Sequence, residues 1–216
     1  MYQLAKSIIH YSSFVPFLPL AIAVWNLKML GKTLRPILWY LVAIVVIEIG
    51  ATVMVKYHQN NLRLLHLLTI LEFALIAWFY YEVLEGLLKR KIILAIVGLF
   101  STAAIINSVF FQALTTFNTN ARSLEGVLVI IFALLCFYKI LSEMKIKRLD
   151  QEPVFWINTG FLLYYSGGVL LFAFSNYLLK FNKPINMYVW ALHALFSTLL
   201  YVFIAVGLWK TRVRSI

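Results

Sequence analysis

The chain has 216 residues, of which 63% are hydrophobic and 12% are charged, and its mean hydropathy is +0.89. A soluble domain has roughly 45–50% apolar and about 25% charged residues, so this composition excludes one. Lys and Arg number 19 against 8 Asp and Glu, a formal net charge of +11. Because the apolar excess runs along the whole chain, we expect a single transmembrane domain over residues 1–216.

Seven stretches are long and apolar enough to cross a membrane as α-helices, since about 30 Å of hydrocarbon requires about 20 residues. They cover residues 8–25, 37–55, 64–83, 92–111, 121–140, 154–178 and 187–209, and we number them helices 1 to 7. Pro16 and Pro19 are expected to kink helix 1. The connections are short, so the expected fold class is all-α, a polytopic membrane bundle of seven transmembrane helices.

Basic residues are unequally divided between the two sides of this predicted bundle. Thirteen follow helices 1, 3, 5 and 7: Lys28, Lys32, Arg35, Lys89, Arg90, Lys91, Lys139, Lys145, Lys147, Arg148, Lys210, Arg212 and Arg214. Six lie on the other side: Lys6, Lys56, Arg63, Arg122, Lys180 and Lys183. Cytoplasmic loops are enriched in Lys and Arg, so we expect an outside N-terminus and a cytoplasmic C-terminus. The net positive charge then reflects the basic cytoplasmic loops and their contact with anionic membrane lipid. We therefore expect no nucleic-acid partner.

A weak internal repeat is also present. Helices 2 and 6 both begin with Pro-x-x-Trp, at Pro36 and Pro153, and helices 3 and 7 both carry Leu-His-x-Leu, at His66 and His193. This pattern indicates a parallel 3+1+3 repeat, the arrangement of SWEET-type sugar transporters. Against it, the spacing from Pro to His is 30 residues in the first half and 40 in the second.

Most polar side chains within the spans lie in the predicted outer halves of the helices. Burying an ionisable group in lipid costs several kcal/mol, so each such group is a candidate for function or for a paired contact. The pattern predicts one polar pocket that opens outward. Its candidate ligand-binding residues are Glu48, His66, Thr69, Glu72, Asn107, Arg122, Glu125, Asn176, His193 and Ser197.

Simpler interpretations compete for several of these positions. Glu72 lies about 12 Å below the start of its helix, so its carboxyl group must be protonated, paired with a cation or in contact with water. Arg122 and Glu125 are three residues apart and can neutralise each other at the boundary of the membrane. The glycines of helix 6, Gly160, Gly167 and Gly168, are expected to permit close helix packing. Tyrosines and tryptophans, including Tyr80 and Trp190, fit the interfacial belts.

Three segments, residues 60–73, 117–125 and 153–164, resemble those of uncharacterised seven-helix membrane proteins of Bacteroidota. That family is similar in outline to the seven-helix sensor modules of bacterial histidine kinases. The resemblance implies a multi-pass protein of the bacterial cytoplasmic (inner) membrane, and it supplies no catalytic residue. A sensor of this kind would signal through a separate polypeptide, since few residues follow helix 7.

The function that these features favour is that of a receptor-like protein, which senses a small or lipidic ligand and signals through a cytoplasmic or membrane partner. One alternative is a zinc-dependent membrane lipid hydrolase, in which His66, Glu72 and His193 hold the metal and activate a bound water. This sequence has one histidine in helix 7 where seven-helix hydrolases of the alkaline ceramidase and adiponectin receptor type have a pair. Another alternative is a small-molecule transporter of SWEET-like architecture.

Retinal is not expected as a cofactor, because helix 7 has no lysine for a Schiff base. The sequence also lacks a Gly-rich phosphate loop, His-Glu-x-x-His and Gly-x-Ser-x-Gly. We therefore expect a binding protein more than an enzyme.

Overall fold

The computed structural model describes residues 2–143, 148–178 and 183–213, with the backbone alone for residues 183, 212 and 213. Lys145, Lys147, Lys180 and Arg214, four of the charges used to predict the orientation, lie outside the described residues. The part of the chain that the structure describes is all-α and 85% helical. Seven helices in its described part are long and apolar enough to cross a membrane, which confirms the predicted seven-helix bundle.

Each predicted stretch corresponds to one helix, extended by a few residues. Helix 1 has two segments, Tyr2–Ser12 and Phe17–Trp25, and helix 4 runs over Arg90–Ile106 and ends in a π-helical turn, Asn107–Phe111. The other helices are Arg35–Lys56, Leu62–Val83, Thr119–Glu143, Pro153–Leu178 and Lys183–Val213. Short 3₁₀ turns, Leu27–Met29 and Leu149–Gln151, lie in two of the connections.

The break in helix 1 lies at the predicted proline. Pro16 has no N–H to donate to the preceding turn, and the backbone between the segments makes tight turns in which Phe14 N and Val15 N donate to Tyr11 O and Ser12 O. Pro19 lies in the first turn of the second segment, where a missing N–H breaks no helical bond.

Helices 6 and 7 form the centre of the packing. Helix 6 packs between helices 5 and 7, and helix 7 also packs against both segments of helix 1. Helix 3 contacts helices 2, 4 and 5. The helices alternate in direction, so the bundle has two ends. The amino-terminal end contains residue 2, the loops after helices 2 and 4 and the last residues of helix 6, and the opposite end is the carboxyl-terminal end.

Glycines permit the close approach of helices 6 and 7. A Cβ atom on Gly160 would lie 2.9 Å from Phe203 Cβ, and one on Gly167 would lie 2.5 Å from the ring of Phe196. These two contacts confirm the predicted packing role. Gly168 differs, because its missing Cβ leaves room for the ring of Phe172 on its own helix.

The carboxyl-terminal half of the bundle is filled by an aromatic layer of buried rings, Tyr40, Phe79, Tyr80, Phe132 and Phe161. Ring centroids lie 5.7 Å apart for Tyr40 and Phe161 and 5.4 Å apart for Tyr80 and Phe132, within the range of favourable aromatic pairs. Assigning Tyr80 to an interfacial belt was wrong, because this side chain is fully buried. The layer separates the polar groups near the amino-terminal end from the carboxyl-terminal end.

Candidate functional site

An ion cluster lies inside the bundle where helices 3 and 5 meet. Arg122 Nη1 donates to Glu72 Oε2 at 2.5 Å and to Glu125 Oε2 at 2.7 Å. The two glutamates are 1% and 0% exposed, and the Arg122 side chain is 18% exposed. A buried charge is tolerated when it is paired and hydrogen-bonded, so Arg122 is the group that allows two carboxyl groups in the interior.

Two neighbouring tyrosines of helix 6 complete the ion cluster, which we define as Glu72, Arg122, Glu125, Tyr164 and Tyr165. Tyr165 Oη lies 2.9 Å from Glu72 Oε1 and 3.2 Å from Glu125 Oε1. Tyr164 Oη accepts a hydrogen bond from Arg122 Nη2 at 3.2 Å. The cluster therefore joins three helices, and every charged group in it has at least two polar partners.

The sequence left several explanations for these charges open. The structure pairs Glu72 with a cation, which was one of the three alternatives for a carboxyl group at that depth. Arg122 and Glu125 do neutralise each other within one helix, but Glu125 is fully buried and shares Arg122 with Glu72. Their pairing is thus part of a connection between helices.

His193 extends the polar network to helix 7. Its Nε2 lies 3.2 Å from Tyr164 Oη. An arginine can only donate, so the Tyr164 oxygen accepts from Arg122. The same oxygen contacts His193 Nε2 and so joins the imidazole of helix 7 to the ion cluster. The ring of His193 also packs edge-on against Phe172 and Trp190, at centroid distances of 5.3 and 5.7 Å.

A first cavity of about 120 Å³ lies beside the ion cluster. It is lined by Leu65, Leu68, Thr69, Phe117, Asn118, Arg122, Phe172, Ser175, Trp190 and His193. Thr69 and Ser175 donate to carbonyl groups of their own helices, so their hydroxyl hydrogens are already used. Asn118 is 4% exposed, and its Nδ2 is a buried donor without a hydrogen-bond partner among the described residues.

A second cavity of about 270 Å³ lies among helices 1, 2 and 7. It is lined by Ile9, Ser12, Ser13, Pro16, Ile44, Glu48, Trp190, His193, Ala194, Ser197 and Tyr201. Trp190 and His193 border both cavities, so they form the wall between them. Where the sequence predicted one polar pocket, the structure divides these residues among separate cavities: the first and second share a wall, Glu48 and Ser197 line the second, and Asn107 lines another.

His66, a predicted site residue, instead holds a loop. Its Nδ1 lies 2.8 Å from Ser108 Oγ, and its Nε2 lies 3.2 Å from the carbonyl oxygen of Thr116. A carbonyl group only accepts, so Nε2 carries the hydrogen in this contact. Both ring nitrogens therefore bind protein groups, and the imidazole fixes the connection between helices 4 and 5 against helix 3.

Asn107 and Asn176 bind residues of the same connection. Asn107 Nδ2 donates to Gln112 Oε1 at 2.9 Å and to Asn118 Oδ1 at 3.0 Å. Asn176 uses both ends of its amide on one residue: Oδ1 accepts from Phe117 N at 3.1 Å and Nδ2 donates to Phe117 O at 2.9 Å. These amides position Phe117 and Asn118, two residues of the wall of the first cavity.

The proposed zinc ligands do not come together. Within residues 2–143, 148–178 and 183–213, no group of three or more His, Cys, Asp or Glu side chains is arranged to hold a metal ion. Glu72 binds Arg122 and Tyr165, His66 is held by a loop, and His193 faces Tyr164.

Sequence reasoning missed Tyr164, Tyr165, Asn118 and Trp190. The predicted belt position of Trp190 does not describe its role, because the ring lines both cavities and lies 5.3 Å from the ring of Phe117. One signal was available for the tyrosines: adjacent hydroxyls in the middle of an apolar helix need buried partners. Asn118 precedes helix 5 and gave no such signal.

The chain has no match in any of the comparisons made: no protein-family model matches it, and neither a curated protein nor a solved structure does.

Proposed function

We propose that this is a receptor-like membrane protein that binds a small lipophilic ligand in the first cavity and signals through a separate partner. The observation that carries the proposal is the buried Nδ2 donor of Asn118, which has no partner among the described residues and belongs to a residue that lines a cavity beside the ion cluster. Leaving a buried donor unpaired costs about 1–3 kcal/mol. A ligand that supplies an acceptor recovers that cost.

The walls of the first cavity define the chemistry of the ligand. Leu65, Phe117, Phe172 and Trp190 supply apolar and aromatic surface, whereas Asn118 supplies a hydrogen-bond donor. The positive charge of Arg122 is already balanced by two carboxyl groups, so little attraction for an anion remains. A neutral, lipophilic molecule with an acceptor oxygen, such as a ketone or an ester, fits these walls best.

The ion cluster supplies a route from ligand to helix movement. Arg122 lines the cavity and its partners lie on helices 3, 5 and 6, with His193 adding helix 7. A ligand that favours one arrangement of these contacts shifts the population of helix arrangements. The cluster thus connects the cavity to four helices at once.

We place the amino-terminal end outside the cell and the carboxyl-terminal end in the cytoplasm of a bacterium, with the inner membrane as the location. The excess of Lys and Arg at the carboxyl-terminal end supports this orientation. At that end Lys32 and Arg90 pair with Glu82 and Glu85 at 3.2 to 3.7 Å. These charged loops form the surface that a signalling partner would contact.

The transporter alternative requires a second arrangement of the aromatic layer. A transporter needs a site that both sides reach in turn, so the buried rings of Phe79, Phe132 and Phe161 would have to separate to open the carboxyl-terminal half. The parallel repeat that motivated the transporter stays a prediction. Its two histidines have different surroundings, since His66 binds a loop and His193 binds Tyr164.

Binding is tested with three probes on protein in lipid nanodiscs, chosen to match the small volume of the cavity: 2-hexanone, hexane and hexanoate. We expect saturable binding of the ketone, weaker binding of the alkane and the weakest binding of the anion. Asn118→Leu should weaken ketone binding about tenfold, which corresponds to one lost hydrogen bond. Asn61→Leu, outside the cavity, is the matched control, and equal ketone binding by Asn118→Leu and wild type would contradict the proposal.

Signalling is tested on the same protein with spin labels at Lys89→Cys and Lys210→Cys in a Cys136→Ala background. Saturating 2-hexanone should shift the distance between the labels, because Lys89 lies in the loop after helix 3 and Lys210 lies in the last turns of helix 7. If the ketone binds and the distance between the labels does not change, the protein binds the ligand without responding to it, and the receptor proposal is rejected.

A further inference from the structure

We propose that the second cavity is a separate binding site for a small organic ammonium ion, with the Glu48 carboxylate as its counter-ion. The cavity lies on the other side of Trp190 and His193 from the first one. The inference therefore does not depend on the ligand of the first cavity.

The first argument is the charge of Glu48. It lies eight residues before helix 2 ends at Lys56, about 12 Å along the helix axis, within a candidate membrane span. Among the residues that the structure describes, Glu48 has no ion-pair partner. A carboxylate at that depth is stabilised by a cation beside it, and the lining of the second cavity contains no Lys or Arg that could be this cation.

The second argument is the aromatic lining. The rings of Trp190 and Tyr201 border the same cavity as Glu48. Aromatic faces attract organic cations, and quaternary ammonium groups are commonly bound by such rings. A carboxylate together with aromatic rings is therefore complementary to an ammonium group, which carries its charge on an apolar body.

The third argument distinguishes an organic cation from a metal ion. The volume of about 270 Å³ is far larger than a metal ion needs. The described residues contain no group of three His, Cys, Asp or Glu side chains that could hold one. Ser12 donates to Ile9 O, whereas Ser13 and Ser197 also line the cavity with hydroxyl groups that can bond a ligand. One charge, these hydroxyls and two rings suit a single ammonium group.

The experiment measures binding of benzyltrimethylammonium, a permanent cation, by isothermal titration to the full chain in neutral-lipid nanodiscs. Its neutral isostere, neopentylbenzene, has the same shape without the charge. We expect saturable binding of the cation to wild type and at least about tenfold weaker binding to Glu48→Gln. Glu85→Gln removes the same charge at the carboxyl-terminal end and should bind like wild type.

Ser197→Leu gives a second test that leaves the carboxylate in place, because its side chain fills the cavity. It should weaken binding of the cation as strongly as Glu48→Gln does. If Glu48→Gln does not fold, Ser197→Leu shows whether the cation binds in the second cavity. Failure of the cation to bind wild type saturably overturns the proposal. So does equal binding by wild type and both cavity variants, or tighter binding of the neutral isostere.

Discussion

Tyr165 holds its hydroxyl group between two buried carboxyl groups, 2.9 Å from Glu72 Oε1 and 3.2 Å from Glu125 Oε1. The other oxygen of each carboxyl group contacts Arg122 Nη1. Each glutamate therefore has one oxygen on the arginine and one on the tyrosine. This double connection fixes the register of helices 3, 5 and 6 at one level of the bundle.

Removing the Tyr165 hydroxyl should destabilise the bundle. Tyr165→Phe keeps the ring but deprives two buried carboxyl oxygens of a partner, so we expect the free energy of unfolding to fall by about 1–3 kcal/mol. This free energy is measured by unfolding the protein in mixed micelles of dodecyl maltoside and SDS. Tyr138→Phe is the control, because Tyr138 is exposed on the surface of helix 5. Equal stability of the two variants would show that the tyrosine contacts contribute nothing.

Replacing Arg122 should cost more than replacing either glutamate. Arg122→Gln leaves two buried carboxyl groups without their cation, for which we expect a loss of about 3–5 kcal/mol. Glu125→Gln leaves a one-to-one pair between Glu72 and Arg122 and should cost less. Arg63→Gln, at an exposed position, should have no effect. The same unfolding assay ranks the variants, and a larger loss for Glu125→Gln than for Arg122→Gln would refute the charge argument.

The contact between helices 6 and 7 should not tolerate a methyl group at Gly207. A Cβ there would lie 2.8 Å from the carbonyl oxygen of Pro153 and 2.7 Å from Ile157 Cγ1, so Gly207→Ala should separate the helices and lower the melting temperature. Gly98→Ala provides the matched control, since no atom lies within 4 Å of its added Cβ. In helix 4 that change should be neutral or stabilising by up to about 1 kcal/mol. A melting temperature unchanged by Gly207→Ala would contradict the close packing.

The orientation can be read from the labelling of single cysteines in intact bacteria. In a Cys136→Ala background, Gln59→Cys in the loop after helix 2 should react with a membrane-impermeant maleimide. Gly31→Cys in the loop after helix 1 should react only after the cells are opened. The reverse pattern would invert the proposed orientation.

The number and position of the helices were predictable because each span is a long apolar run between short polar connections. The kink at Pro16 was predictable for the same kind of reason, since a missing N–H acts within one turn. The grouping of Glu72, Arg122 and Glu125 was only partly predictable. Spacing relates Arg122 to Glu125 on one helix, but the contact with Glu72 depends on the packing of helix 3 against helix 5.

The division of the polar residues into two cavities and a loop could not be predicted. His66 and His193 occur in the same short motif, yet one holds a loop and the other borders both cavities. The difference arises from what lies opposite each helix: the connection between helices 4 and 5 covers His66, whereas Tyr164 of helix 6 faces His193. Such long-range neighbours leave no trace in the local sequence pattern.

Trp190 and His193 are the shared wall of the two cavities, so an occupant that displaces either ring changes the shape of the neighbouring space. By thermodynamic linkage, two ligands coupled in this way must alter each other's affinity by the same factor. A change of tenfold would correspond to a coupling free energy of about 1.4 kcal/mol. With a ligand in each cavity, the response to one molecule would therefore depend on the concentration of the other.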